Sequence, residues 1–190
     1  VQSVNYLYSA SEMFILNSEN LCFDYPRMSA PHYQFISGAS AYPPKPLPQD
    51  IQKWAADAKE GIVIVSFGSL RAVRHAIAKF MMDRFLEGFA KLKQKVIWSF
   101  DTNRLKGKNI PPNVLVLDWL PQNDILGDPR TKVFMTHAGN NGQMEAIYHG
   151  VPMLAIPMFG DQVYNAARAS NRGFGLTLAK DKFTAQDLSD

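Results

Sequence analysis

The chain has 190 residues, 46% of them hydrophobic and 19% charged, with a formal net charge of +3. That length and apolar content suit a globular chain with an ordinary core and exclude a disordered one. The basic residues are scattered, so the mild positive excess reads as solvated surface rather than as a nucleic-acid patch.

In chain order, "MFILNS" (13–18) and "YQFIS" (33–37) read as short strands. "AYPPKPLPQD" carries Pro43, Pro44, Pro46 and Pro48 and reads as a stiff, extended linker. A domain boundary is expected near 41–49, dividing the chain into 1–45 and 46–190. A helix is expected over 50–59. "GIVIVSFGS" (61–69) is a β-branched run of buried-strand type. Ile77, Met81, Phe85, Phe89 and Leu92 recur at helical spacing, which predicts an amphipathic helix over 75–93. "KVIWSF" (95–100) and "VLVLDWL" (114–120) are further strands, and a short helix over 123–126 stops near Asp128-Pro129. "KVFMT" (132–136) is a strand, 141–149 a helix, "VPMLAIP" (151–157) a strand, 161–171 a helix and "GLTLA" (175–179) a strand. "FTAQDLSD" (183–190) opens one more helix, with Thr184 and Asp187 at cap spacing.

Strands alternating with helices predict an α/β fold with a doubly wound parallel sheet, covered on both faces. The strands are nearly continuous apolar runs, as burial on both sides requires. Cys22 is the single cysteine, so no internal disulfide forms, and no zinc-type Cys/His spacing occurs. No apolar stretch approaches the roughly 18 residues of a membrane span. No signal peptide opens the chain, and its start at Val1 reads as a piece of something longer.

In an open parallel sheet, ligands bind outside the carboxyl ends of the strands. Those ends here carry Ser69, Trp119, His137 and the Asp161-Gln162 pair. The segment after the 132–136 strand is small and polar: His137, Ala138, Gly139, Asn140, Asn141, Gly142. A helix N-terminus presents unpaired N–H groups and a partial positive charge, and glycines let a phosphate approach the backbone. Asn141 and His137 add side-chain donors. Neither the Gly-x-Gly-x-x-Gly fingerprint nor a P-loop is present. Glu145 would repel a phosphate; one turn along, its carboxylate can accept both hydroxyls of a vicinal diol such as a ribose. Trp119 offers a face for a base, and Asp161 and Gln162 can read sugar hydroxyls. Together these are the parts needed to hold a nucleoside diphosphate sugar.

Residues 119–162, "WLPQNDILGDPRTKVFMTHAGNNGQMEAIYHGVPMLAIPMFGDQ", closely resemble the donor-binding box of family 1 UDP-glycosyltransferases, above all the animal UDP-glucuronosyltransferase type. A weaker resemblance covers nearly all the rest. It implies one Rossmann-like half of a GT-B fold: a donor-binding domain over 46–190, truncated at its end, behind the tail of an acceptor domain and a linker over 1–45. It implies that Trp119 stacks on uracil with Leu120 beside it, that Gln122 lies near the ribose and that Glu145 holds the ribose hydroxyls. Ser69, His137, Gly139, Asn141 and Gly142 would contact the diphosphate, and Asp161 and Gln162 the sugar. The implied reaction is inverting transfer of a hexosyl or hexuronosyl group from a UDP-sugar to a hydroxyl of a small lipophilic acceptor. No metal or cofactor is expected, since the UDP-sugar is a substrate. The family's catalytic His and Asp lie in the N-terminal domain, and nothing in 1–60, His32 included, matches them. The chain alone is therefore expected to bind donor without transferring sugar. Animal relatives imply an endoplasmic reticulum membrane, reached through a C-terminal span this chain lacks, the chain itself being soluble; a homo-oligomer is compatible. Three positions depart from the family. Ala138 stands where Gly is usual and narrows the phosphate approach. Asp128, expected at the surface, stands where His is common. Arg71 is unusual and would help or crowd the phosphate.

Other readings remain beside this one. His137 alone can be a structural histidine. Glu145 and His149, four apart, can suggest zinc, although the third ligand is missing; His149 is otherwise a helix-end residue. Asn141-Gly142 can be a hairpin turn. Ser66 and Ser69 can suggest a hydrolase, without the nucleophile elbow that would support one. A non-catalytic nucleotide-sugar binding module and a UDP-sugar epimerase share the expected architecture.

Overall fold

A computed structural model describes residues 4–18, 23–26, 28–69, 77 and 79–189. The chain divides into two compact units, Val1–Ala39 and Ser40–Asp190. The division falls before the prolines, not among them, because the segment from residue 40 onward is tied into the second unit.

The first unit holds a helix the sequence pattern does not announce, α1 (Val4–Ala10), and two short strands, β1 (Phe14–Leu16) and β2 (Tyr33–Phe35). The strands pair in parallel with Phe14 opposite Tyr33, and the two rings stack at 4.9 Å. His32 lies against Tyr33 in the same aromatic group. Cys22 lies outside the described residues.

The second unit contains α2 (Gln49–Trp54), β3 (Ile62–Ser66), α3 (Lys79–Lys91), β4 (Lys95–Ser99), a 3-10 turn (Thr102–Leu105), β5 (Val114–Leu117), α4 (Gln122–Leu126), β6 (Thr131–Thr136), α5 (Asn140–Tyr148), β7 (Met153–Ala155), α6 (Gln162–Arg172) and β8 (Gly175–Thr177). Its sheet is six-stranded in the order β5-β4-β3-β6-β7-β8, parallel throughout. This is the doubly wound Rossmann-like order expected. The direction of winding reverses between β3 and β6, so their carboxyl ends open a crevice between oppositely placed crossovers.

Alternation explains the continuous apolar strands. Ile62 and Ile64 of β3 face one core, with Ile51 of α2, Ile125 of α4, Phe134 and Ala146 of α5. Val63 and Val65 face the other core, with Phe85 and Phe89 of α3 and Trp98. Both faces are therefore greasy, although each strand still has period two. Phe85 sits at the centre of the second core, within ring contact of Phe67, Phe89, Trp98 and Phe183.

Several elements are shorter than their apolar runs. β7 covers only Met153–Ala155 because Pro152 and Pro157 cannot donate to the ladder. β5 ends at Leu117, where the Asp118 carboxylate accepts from the Thr102 amide at 3.0 Å and turns the chain, releasing Trp119 from the sheet. α2 stops at Trp54, its end carbonyls held by cations from elsewhere: Lys95 Nζ donates to Trp54 O, and Arg130 Nη1 to Ala55 O. α3 is described from Lys79; the expected start at His75 lies outside the described residues. The expected helix at 183–190 is instead a turn. Its cap bonds exist, with Thr184 N and Oγ1 donating to Asp187 Oδ2 at 2.6 and 2.8 Å, but no helical turn follows through Ser189.

The proline segment is an extended strap. Its proline nitrogens carry no N–H, and two of the remaining backbone donors reach side chains on α4. Tyr42 N donates to Asn123 Oδ1, Asn123 Nδ2 returns a bond to Tyr42 O, and Lys45 N donates to Asp124 Oδ1. Gly127 leaves room for Pro44: a Cβ there would lie 2.4 Å from the proline ring.

Truncating the central aromatic should show how much this core carries. Phe85→Ala is expected to destabilise the chain by about 3–5 kcal/mol. That corresponds to a melting temperature lowered by roughly 10 °C, read by circular dichroism on heating.

Candidate functional site

At the β3/β6 reversal lies a cavity of about 620 Å³. Its floor is made of hydroxyls that end neighbouring strands, Ser66, Ser99 and Thr136. Ser69, Trp119, Leu120, Gln122, His137, Gly139, Asn141, Gly142 and Glu145 all line it. Five separate sequence segments thus converge on one space. Asp161 and Gln162 are not among its lining residues.

The imidazole of His137 occupies a slot made by two glycines. A Cβ at Gly68 would lie 2.9 Å from its Cε1, and one at Gly139 only 2.7 Å from its Nε2. Gly68 also has φ +77, a conformation that side chains resist. Thr136 Oγ1 sits 3.4 Å from His137 Nδ1. Burial pushes the His137 pKa down, opposed by the charge of Asp161 and by a hydrogen bond to the Ser66 backbone. The net shift favours the neutral ring, which can donate one N–H.

Beside it α5 begins. Gly139 is its N-cap, in extended conformation (φ −64, ψ 142), and no side chain caps the helix. No acidic residue stands in the first turn. The start of a helix carries a partial positive charge, which favours an anion in the cavity that Asn140, Asn141 and Gly142 line. Gly142 has a packing reason as well: a Cβ there would lie 3.3 Å from Phe134 Cε1 and 3.4 Å from Gln122 Nε2. The helical course of 140–148 disposes of a hairpin at Asn141-Gly142.

At the far side, Gln122 Nε2 donates to Glu145 Oε2 at 2.6 Å. Burial pushes the Glu145 pKa up and this bond pulls it down. The carboxylate is pre-oriented by an amide and keeps acceptor capacity for a ligand. Trp119, 73% exposed, stands as an open indole face at the rim, while Leu120 is buried against α4.

The remaining expectations change under the structure. Gln162 is 4% exposed, and its Oε1 accepts from Met158 N and Phe159 N at 2.9 and 3.2 Å; here it ties the loop after β7. Asp161 is exposed, reaches His137 by charge and accepts from Asn165 Nδ2 at 2.9 Å. Ala138 does not narrow the cavity. It is fully buried with Ala155 and Ala166, and its unusual feature is φ +65, which costs a non-glycine residue about 1 kcal/mol. Asp128 is half-buried rather than freely exposed: its side chain pairs with Arg130 at 2.7 Å, which holds its pKa below the ordinary value. His149 Nε2 lies 3.0 Å from Asn123 Oδ1. Because Tyr42 fixes which end of the Asn123 amide is oxygen, that ring nitrogen carries the proton. Among the described residues no group of three or more His, Cys, Asp or Glu comes together to hold a metal. Arg71 lies outside the described residues.

The sequence pattern passed over Tyr42, Asn140 and the strand-end hydroxyls of Ser99 and Thr136, all of which line the cavity. A signal was available for the hydroxyls, since each closes an apolar strand at its carboxyl end. None was available for Tyr42, which arrives from a distant strap.

The fold is a doubly wound parallel α/β domain with a cavity at its point of reversal. The chain matches the family model described as UDP-glucoronosyl and UDP-glucosyl transferase over residues 2–190. It belongs to that family. It is 39% identical to UDP-glucuronosyltransferase 2B14 of Oryctolagus cuniculus, over 87% of this chain and 30% of that protein. It is 37% identical to UDP-glucuronosyltransferase 1A9 of Homo sapiens, over 97% of this chain and 34% of that one. The chain thus spans about a third of the length of these relatives. Among solved structures it resembles the glycosyltransferase VinC in complex with DTDP (TM-score 0.67, 21% identity, 88% of this chain and 40% of that one). It also resembles Os79 from O. sativa in complex with UDP (TM-score 0.64, 20% identity, 76% of this chain and 34% of that one). The architecture is accordingly one Rossmann-like half of a GT-B fold.

Gly139→Ala is expected to shift the His137 ring resonances in NMR while those of His149 stay in place. The added methyl should cost about 1–3 kcal/mol as an overpacked contact. An unmoved His137 signal would contradict the slot. The two half-buried histidines also set a pH trend. Burial lowers the pKa of both His137 and His149, with Asp124 opposing at His149. The unfolded chain then binds more protons as pH falls below about 6.5, so stability declines through that window. Melting temperature should fall from pH 7.5 to 6, and His149→Gln should flatten part of the slope.

Proposed function

We propose that this chain is the donor-binding half of an inverting UDP-dependent glycosyltransferase. The observation that carries the proposal is the cavity at the β3/β6 reversal, where the start of α5, His137 and the Glu145–Gln122 pair face one space. In this reading Trp119 stacks on uracil, with Leu120 and Gln122 behind it. Glu145 accepts the ribose hydroxyls. The α5 N-terminus, His137, Asn141 and Ser69 hold the two phosphates.

The reaction uses that cradle at its leaving-group side. An acceptor hydroxyl oxygen attacks the anomeric carbon from the face opposite UDP, the bond from that carbon to the diphosphate oxygen breaks, and UDP departs with the electron pair. The acceptor proton passes to a base on the other half of the enzyme. Donors aimed at the diphosphate stabilise the charge that grows there, without any metal in this account. Asp161, at the exposed start of α6, is placed to meet sugar hydroxyls outside the cavity proper, with Gln162 shaping the loop behind it. The acceptor is a small lipophilic alcohol or phenol, and the whole enzyme is anchored at the endoplasmic reticulum membrane by a segment beyond this chain. No described helix is itself long and apolar enough to cross a membrane.

Titration calorimetry of the chain with UDP tests the reading. Glu145→Ala and His137→Ala should each weaken UDP by about tenfold or more, as loss of a charged or buried hydrogen-bonding group requires. Glu145→Gln should do so without lowering the melting temperature, since it removes a buried charge and keeps a partner for Gln122. Unchanged affinity in both alanine variants would overturn the proposal.

A further inference from the structure

Arg168 lies in α6, outside the cavity, yet its guanidinium is among the most buried charged groups described, at 3% exposure. Its Nη2 donates to Asn140 Oδ1 at 3.1 Å and to Gln143 Oε1 at 2.8 Å. Both acceptors belong to the first turn of α5. Gln143, fully buried, is itself fixed by its Nε2 bond to the Asn165 carbonyl at 2.9 Å. Asn165 in turn donates to Asp161, whose charge reaches His137. One face of α6 therefore supports the cavity at both ends of the α5 turn.

The chemistry of the two groups makes this arrangement directional. A guanidinium has donors only, and an amide has one oxygen and one NH2. Arg168 thus takes the oxygen end of Asn140 and turns its NH2 end away from itself. Asn140 lines the cavity. Behind this cavity-lining residue stands a permanent positive charge, in a buried setting where charge acts strongly, added to the partial charge of the helix start. Both effects favour an anion, and neither bears on a neutral nucleoside.

We infer that Arg168 is a positioning residue for the diphosphate subsite, acting through Asn140 to set that subsite's preference for phosphate-bearing ligands. This rests on the reading of the cavity as a UDP-sugar site.

The test uses the full chain, with UDP, UMP and uridine as probes in calorimetry. Arg168→Gln is expected to weaken UDP by about tenfold or more while uridine affinity stays within about twofold. Arg168→Lys keeps the charge but cannot bridge both amides in the same way, so it should recover part of the UDP affinity. In an Asn140→Ala background, Arg168→Gln should cost clearly less than it does alone, because the two act as one unit. Equal weakening of UDP and uridine, unaltered UDP affinity, or a full additional loss in the Asn140→Ala background would each overturn the inference. If Arg168→Gln does not fold, Arg168→Lys decides: unaltered UDP affinity overturns the inference, and a loss of about threefold or more confined to UDP and UMP supports it. A wild-type chain that binds neither UDP nor uridine would instead bring down the reading of the site itself.

Discussion

The cavity depends on a steric allowance: two strands that run side by side in parallel, β3 and β6, are followed by glycines at the points where the His137 ring needs space. Side chains at Gly68 or Gly139 would occupy the ring's position. With both absent, the imidazole fits between the two backbones at the sheet's point of reversal, next to the start of α5. The ring, the helix start and the strand-end hydroxyls then share a space of about 620 Å³. Move the ring and the donors no longer converge, whatever the rest of the fold does.

The same place collects features that work against stability. His137 and Glu145 are both held where burial opposes their charged forms. Ala138 takes a left-handed conformation beside them. A guanidinium is buried beneath α5. Elsewhere the fold follows ordinary rules, with two apolar cores and a dense aromatic group around Phe85. Local rules broken inside a consistent scaffold concentrate at functional sites. The compensation is visible residue by residue: Gln122 for Glu145, the Ser66 backbone for His137, the amides of Asn140 and Gln143 for Arg168.

The strap of residues 40–48 shows how composition can mislead about organisation. Four prolines in ten residues describe a stiff extended segment, and the segment is extended. Stiffness says nothing about what the segment touches. The Asn123 side chain, paired with both backbone groups of Tyr42, makes it part of the second unit and brings Tyr42 to the cavity wall.

Much of this was legible in the residue order. Apolar runs, their spacing and the rule about strand ends sufficed for the parallel sheet, the order of elements and the convergence of Ser69, Trp119, His137 and Glu145, because hydrophobic period and chain direction are local properties. Element ends were less legible. The stop of β5 at Leu117 depends on Asp118 meeting Thr102, and the end of α2 on cations from β4 and the β6 approach. The inward turn of Gln162, the ion pair of Asp128 with Arg130 and the bond from Arg168 to Asn140 were decided by the tertiary structure. A polar side chain's role depends on which donor or acceptor folding places opposite it. That partner lies across the fold, at a distance in sequence that no local pattern encodes.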